Sequence, residues 1–160
     1  WVFGDNVNTD LIAPARMLRR PVAEYASHCM EALLPNFAAE VKKGDIVVGG
    51  INFGCGSSRE QAPEALQYLG IAAVVARTFS RTFFRNSMNL GMPAIVCCDA
   101  DAIPQGARLS ISLEKATIKD LDTGKIYTCQ AIPSHLVEML NDGGLLEHLE
   151  KRLRRSDRPL

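Results

Sequence analysis

Apolar residues in this chain gather into short runs whose pattern changes about two thirds of the way along. Residues 45–50 (DIVVGG), 71–76 (IAAVVA) and 93–98 (PAIVCC) are brief apolar stretches bounded by glycine or charge. That is the signature of strands buried on both faces. Between the first two, residues 60–69 read as a helix ending at Gly70, and residues 80–91 (SRTFFRNSMNLG) as a second helix with its own terminal glycine. Strands alternating with helices predict a β–α–β–α–β core with parallel pairing. Beyond it, residues 108–113 (RLSISL) and 125–131 (KIYTCQA) alternate in polarity, 116–121 (ATIKDL) fits between them, and 122–124 (DTG) supplies a hairpin-type turn. Helical pieces at 135–141 and 145–155 follow, separated by DGG. The expected fold is a single α/β domain over residues 1–160, with a parallel β-α-β core and an antiparallel β-rich lobe.

Composition narrows the function classes. The chain has 160 residues, enough for a core without disulfide staples. Its 18 Lys+Arg balance 18 Asp+Glu, which gives no overall pull towards nucleic acid or a membrane surface. No apolar run approaches the ~20 residues of a membrane span. The opening WVFGDN lacks the basic and apolar regions of a signal peptide. The five cysteines (Cys29, Cys55, Cys97, Cys98, Cys129) are odd in number and contain no C-x-x-C pair. They suggest neither a disulfide framework nor a zinc site, and their spacing does not suit an iron–sulfur cluster held by this chain alone. A reducing, cytoplasmic setting is expected.

The densest chemistry lies in residues 50–61, GINFGCGSSREQ, between a predicted strand and a predicted helix. Ser58 and Gln61 have the spacing of a capping box, although Pro63 favours a start one or two residues later. A helix start offers partial positive charge and unpaired N–H groups, so it attracts anions. Arg59 adds a planar fork suited to a carboxylate or phosphate, and Gly54 and Gly56 allow tight or left-handed backbone. The segment lacks the Gly-Lys-Ser/Thr ending of a phosphate loop, the third glycine of a dinucleotide fingerprint and the Gly-x-Ser-x-Gly of a hydrolase elbow. A capped helix after a glycine turn and an anion cradle both remain open on these residues alone.

NFGCGSSREQAP, however, resembles the signature of the swivelling domain of the aconitase superfamily, of the isopropylmalate isomerase and homoaconitase small-subunit type. GDNVNTDLIAPARML (4–18), ARTFSRTFFRNSMNLGMP (76–93) and NDGGLLEHL (141–149) resemble further blocks of that family in order and spacing. The resemblance implies a hydro-lyase in which Ser57, as an alkoxide, removes a proton from the carbon beside a carboxylate. Ser58 and Arg59 would hold substrate oxygens. The departing hydroxyl would be bound by an iron of a 4Fe–4S cluster on a separate large subunit, so this chain alone would be inactive, binding neither metal nor cofactor. Each unit by which a serine pKa is lowered needs ~1.4 kcal/mol of preferential anion stabilisation. Such a serine therefore belongs at a strand-to-helix turn with donors around it, not on an open surface.

The resemblance also makes Arg19, in MLRR after IAPAR, the specificity candidate. An arginine there resembles homoaconitase-like members, which bind an extra carboxylate, whereas isopropylmalate-selective members more often carry apolar residues. The implied substrate is a small dicarboxylate or hydroxy-diacid. The leading reading within the family is a 3-isopropylmalate dehydratase of leucine biosynthesis, and the runner-up a homoaconitase or a methylmalate or dimethylmalate dehydratase. Asp10, in NTD, is a supporting residue that could orient an arginine or the serine, or be structural. Asp5 and Asn6 read as turn formers. Gln61 stands where many relatives have histidine and cannot titrate. Arg85 and Asn86 face the site or pack, and His135 and His148 read as solvated or packed helix residues. Self-association is left open. Outside the family, a non-catalytic anion-binding module and a serine hydrolase acting alone are the competing classes.

Overall fold

The computed structural model describes residues 1–156. Its elements are α1 (Thr9–Ile12), a 3-10 turn (Ala15–Met17), α2 (Val22–Ala26), α3 (Phe37–Glu40), β1 (Ile46–Gly49), α4 (Gln61–Tyr68), β2 (Ala73–Ala76), α5 (Arg81–Asn89), β3 (Ala94–Val96), a second 3-10 turn (Ala100–Ala102), β4 (Leu109–Ser112), β5 (Thr117–Asp120), β6 (Ile126–Thr128), α6 (Ser134–Asn141) and α7 (Leu145–Ser156). The three apolar runs form a parallel sheet in the order β1-β2-β3, and the three alternating segments form an antiparallel sheet in the order β4-β5-β6. The parallel core and the antiparallel lobe expected from the pattern are both present.

Strand periodicity explains how the layers stack. Neighbouring side chains on a strand point to opposite faces, so Val47 and Val74, paired in register, join the helical core with Ala65 and Leu66 of α4 and Tyr25 of α2. Val48, Val75 and Ile95 point the other way and pack with Ile118 of β5 and Tyr127 of β6. The parallel sheet is therefore covered on both faces, which is why its strands read as unbroken apolar runs. Each buried valine contributes roughly 1.5–3 kcal/mol of transfer free energy. Tyr127 is 2% exposed and satisfies its hydroxyl by donating to the carbonyl of Ala102 at 3.0 Å.

The C-terminal ends of β1 and β2 set the site. β1 runs through Gly49 into the segment 50–60, and β2 runs into the segment 77–80. Among the described residues no helix is long and apolar enough to cross a membrane.

The boundaries hold two corrections. α1, α2 and α3, each four or five residues long, were not predicted, and the last predicted strand shrinks from 125–131 to Ile126–Thr128. Helix α4 begins at Gln61 with Glu60 at its N-cap and no side-chain cap, so Ser58 and Gln61 form no capping box and the start is the later one that Pro63 favours. Proline supplies the reason. With Ser58 as N-cap, Pro63 would be the fifth helical residue, where an N–H is required. With Glu60 as N-cap it is the third, where the amide has no intrahelical partner anyway.

Candidate active site

The serine loop is gripped from both sides. On one side, Gly54 N–H donates to the carbonyl of Val7 at 2.7 Å, Thr9 N–H to the carbonyl of Cys55 at 2.8 Å, and Ser57 N–H to Thr9 Oγ1 at 3.1 Å. On the other, Phe53 N–H donates to the carbonyl of Thr78 and Ser80 N–H to the carbonyl of Phe53, both at 2.9 Å, while Ser80 Oγ donates to the carbonyl of Gly54 at 2.6 Å. The loop lies as a short strand-like segment between two others, with isolated parallel bridges at Asn8–Cys55 and Phe53–Phe79. Asp5 braces its start by accepting Ile51 N–H at 2.7 Å.

Two glycines make this path available. At Gly54 φ is +73°, and a Cβ there would lie 2.2 Å from the ring of Phe83. At Gly56 φ is +100°, and a Cβ would come within 3.2 Å of Thr9 Oγ1. Left-handed backbone and close approach together demand glycine at the first position, and the left-handed backbone favours it at the second.

Beyond Gly56 the chain presents its polar residues outward. Ser57, Ser58 and Glu60 are exposed and Arg59 is half-buried. The Ser57 carbonyl accepts Arg59 N–H at 2.8 Å, so both backbone groups of Ser57 are engaged and its hydroxyl is left over. The guanidinium of Arg59 is paired with the carboxylate of Asp10 in α1. Asn8 caps that helix, its Oδ1 accepting Leu11 N–H at 2.9 Å. The first turn of α4 has unpaired amides by construction and no side-chain cap. Behind it, Tyr25 donates its hydroxyl to Glu64; burial first, and then the carboxylate partner, push the phenol well above its ordinary pKa.

This arrangement brings together Ser57, Ser58, Arg59, Asp10, Gly54 and Gly56 of the expected set. Arg19 stands apart. It is exposed in the turn after Ala15–Met17 and takes no part in the loop's hydrogen bonds. Its neighbours are engaged, Arg16 with Glu31 and Arg20 with Glu24 at 3.9 Å, whereas Arg19 has no acidic partner within 4 Å among the described residues. Asn86 is buried while Arg85 is exposed. His28 and His148 pair with Glu31 and Asp142, at 2.6 and 2.7 Å, and His135 is exposed. All five cysteines are free thiols. Among the described residues no group of three or more His, Cys, Asp or Glu side chains could hold a metal ion, so these described residues do not fit an iron–sulfur cluster.

One expectation needs correction. Ser57 sits at a strand-to-helix turn as expected, yet it lies on an open face and not in a sheltered site. A groove of about 810 Å³ between the N-terminal segment and the start of β4 has none of the serine-loop residues in its lining. Sequence reading also missed Thr9 and Ser80, and took Asp5 for a turn former only. The close approach of Asp5 to Gly50, where a Cβ would meet its Oδ1 at 2.0 Å, is visible only in three dimensions.

A parallel β-α-β core backed by an antiparallel sheet, with a Gly-x-Gly-Ser-Ser-Arg turn at a strand end, agrees with the aconitase-type fold that the resemblance implied. The family described as Aconitase C-terminal domain matches residues 9–98, more than half of the 160, and the chain belongs to that family. It is 47% identical over 155 residues to the methanogen homoaconitase small subunit of Methanothermobacter thermautotrophicus, covering 96% of this chain and 89% of that one. It is 45% identical over 153 residues to the 3-isopropylmalate dehydratase small subunit 1 of Thermotoga maritima, covering 94% and 92%. Its structure matches that of 3-isopropylmalate dehydratase from Methanocaldococcus jannaschii with a TM-score of 0.91 and 43% identity, covering 99% and 95%. The resemblance, fold class and enzyme class read from the sequence are thereby borne out.

Proposed function

We propose that this chain is the small subunit of a heteromeric hydro-lyase that isomerises 2-isopropylmalate and 3-isopropylmalate by dehydration and rehydration, in leucine biosynthesis and in the cytoplasm. Residues 1–160 act in this reading as one swivelling domain. The observation that carries it is the pair of exposed serines at an uncapped helix start, beside an arginine already oriented by Asp10.

Ser57, as its alkoxide, takes the proton from the carbon beside the substrate carboxylate and becomes a neutral hydroxyl. The electron pair left behind forms the carbon–carbon double bond as the hydroxyl on the neighbouring carbon departs. In rehydration Ser57 gives its proton to the carbon that lost the hydroxyl, and a hydroxyl adds to the carbon that lost its proton, so the hydroxyl has changed places and the alkoxide is restored. The α4 first-turn amides and Arg59 stabilise negative charge at this spot, the direction a low serine pKa requires. Arg59 and Ser58 hold substrate oxygens, and the Asp10 pairing fixes the guanidinium plane for a two-point grip. A Lewis acid and a proton donor for the departing hydroxyl must come from outside this chain, and we assign them to a large subunit carrying a 4Fe–4S cluster. That subunit also has to cover the open face, because such charge stabilisation is strong only where water is excluded.

Arg19 supports a second reading of the substrate, in which an additional carboxylate pairs with this arginine, which has no acidic partner among the described residues. That substrate would be of the homoaconitase or methylmalate type. An anaerobic hydratase assay of the reconstituted complex on isopropylmaleate, homoaconitate, methylmaleate and dimethylmaleate tests both. Turnover that needs both chains and is lost in Ser57→Ala supports the hydro-lyase. The preferred acid, and its response to Arg19→Ala, chooses the substrate. A formed complex with an intact cluster and no turnover of any acid would favour an anion-binding module.

A further inference from the structure

We propose that Thr9 is a positioning residue for Ser57, its buried hydroxyl fixing the backbone on which the base stands. The proposal rests on the reading of Ser57 as base. Thr9 is only 1% exposed, and its Oγ1 is the acceptor for Ser57 N–H at 3.1 Å, across 48 residues of sequence. Its own N–H donates to the carbonyl of Cys55 at 2.8 Å. The two bonds straddle Gly56, which like Gly54 is left-handed, so one threonine grips the chain immediately before and after that glycine. With the Ser57 carbonyl taken by Arg59 N–H, the serine has both backbone groups held and only its side chain free to react.

The next residue, Asp10, holds Arg59. Two consecutive residues at the start of α1 therefore divide the work, Thr9 setting the base and Asp10 setting the guanidinium. Thr9 is itself buried and so acts through Ser57. Removing its hydroxyl takes the acceptor away from the Ser57 amide. The serine then loses its fixed place, and a displacement of about 1 Å at a reacting group can cost on the order of 100-fold in rate.

The test uses the reconstituted complex with its cluster-bearing large subunit, in four variants of Thr9 and Ser57. Thr9→Val and Thr9→Ala are expected to lower kcat by about 10- to 100-fold with KM little changed, while Thr9→Ser, which keeps the hydroxyl, stays near the wild type. Thermal melting and gel filtration check that the variants fold and assemble. If Val disturbs the fold, the Ala and Ser variants, which differ by the hydroxyl alone, carry the comparison. Unchanged kcat in Thr9→Val or Thr9→Ala overturns the proposal, as does a fall in Thr9→Ser equal to theirs. Ser57→Ala separates the two layers. If it retains turnover, the reading of Ser57 as base fails; if it is inactive while Thr9→Ala is unimpaired, only the role of Thr9 fails.

Discussion

Two strand-to-helix junctions leave the same edge of the parallel sheet, and they use serine differently. After β2, Ser80 is the N-cap of α5. Its Oγ accepts Phe83 N–H at 3.2 Å and donates to the carbonyl of Gly54 at 2.6 Å, so both hydrogen-bonding roles of the hydroxyl are filled. After β1, α4 starts without a side-chain cap, and Ser57 and Ser58 stand exposed just ahead of it. One junction spends its serine on the fold. The other supports its loop through backbone amides and neighbouring segments and leaves its serines uncommitted. A hydroxyl released from structural duty, beside free helix-start amides and an oriented arginine, is where chemistry is to be expected. The capped junction in turn steadies the uncapped one, since Ser80 holds Gly54.

Substitutions at the two junctions should separate along that line. The largest effect falls on Ser57→Ala, which should lower hydratase turnover ~100-fold or more while leaving the melting temperature of the isolated chain unchanged. Next comes Gly54→Ala. The left-handed backbone and the ring of Phe83 at 2.2 Å from the added Cβ should together cost roughly 2 kcal/mol or more in denaturant unfolding. Ser80→Ala should cost about 1 kcal/mol of stability through the lost cap, with a smaller effect on turnover than Ser57→Ala. Ser58→Ala should leave stability within about 0.5 kcal/mol, because Ser58 caps nothing, and should raise KM if it holds a substrate oxygen. A stability loss at Ser58 matching that at Ser80 would break the distinction between the junctions.

The same contrast explains what the sequence could and could not reveal. The parallel core was legible because residues 46–49, 73–76 and 94–96 are buried almost throughout and therefore read as continuous apolar runs. The position of the serine loop was legible because glycines and serines interrupt the pattern where β1 ends. The start of α4 was legible to within a residue, because Pro63 disfavours the earlier cap that Ser58 and Gln61 match by spacing. Helices α1 to α3 are too short to show a helical period. Thr9 and Ser80 escaped notice, and Asp5 was read as a turn former only, because their partners lie 48, 26 and 46 residues away and no local pattern encodes such contacts. Arg19 was identified by position in a motif, and the structure adds that its neighbours' charges are engaged while its own has no acidic partner among the described residues.

The central claim is that the exposed face bearing Ser57 becomes an active site when a cluster-bearing subunit covers it. The most direct test replaces Ser57 with cysteine (Ser57→Cys) and follows thiol modification peptide by peptide, in the isolated chain and in the assembled complex, with exposed Cys98 as an internal gauge of reagent reactivity. The account predicts ready modification at position 57 in the isolated chain and strong protection in the complex. Equal modification at position 57 in both states would contradict it.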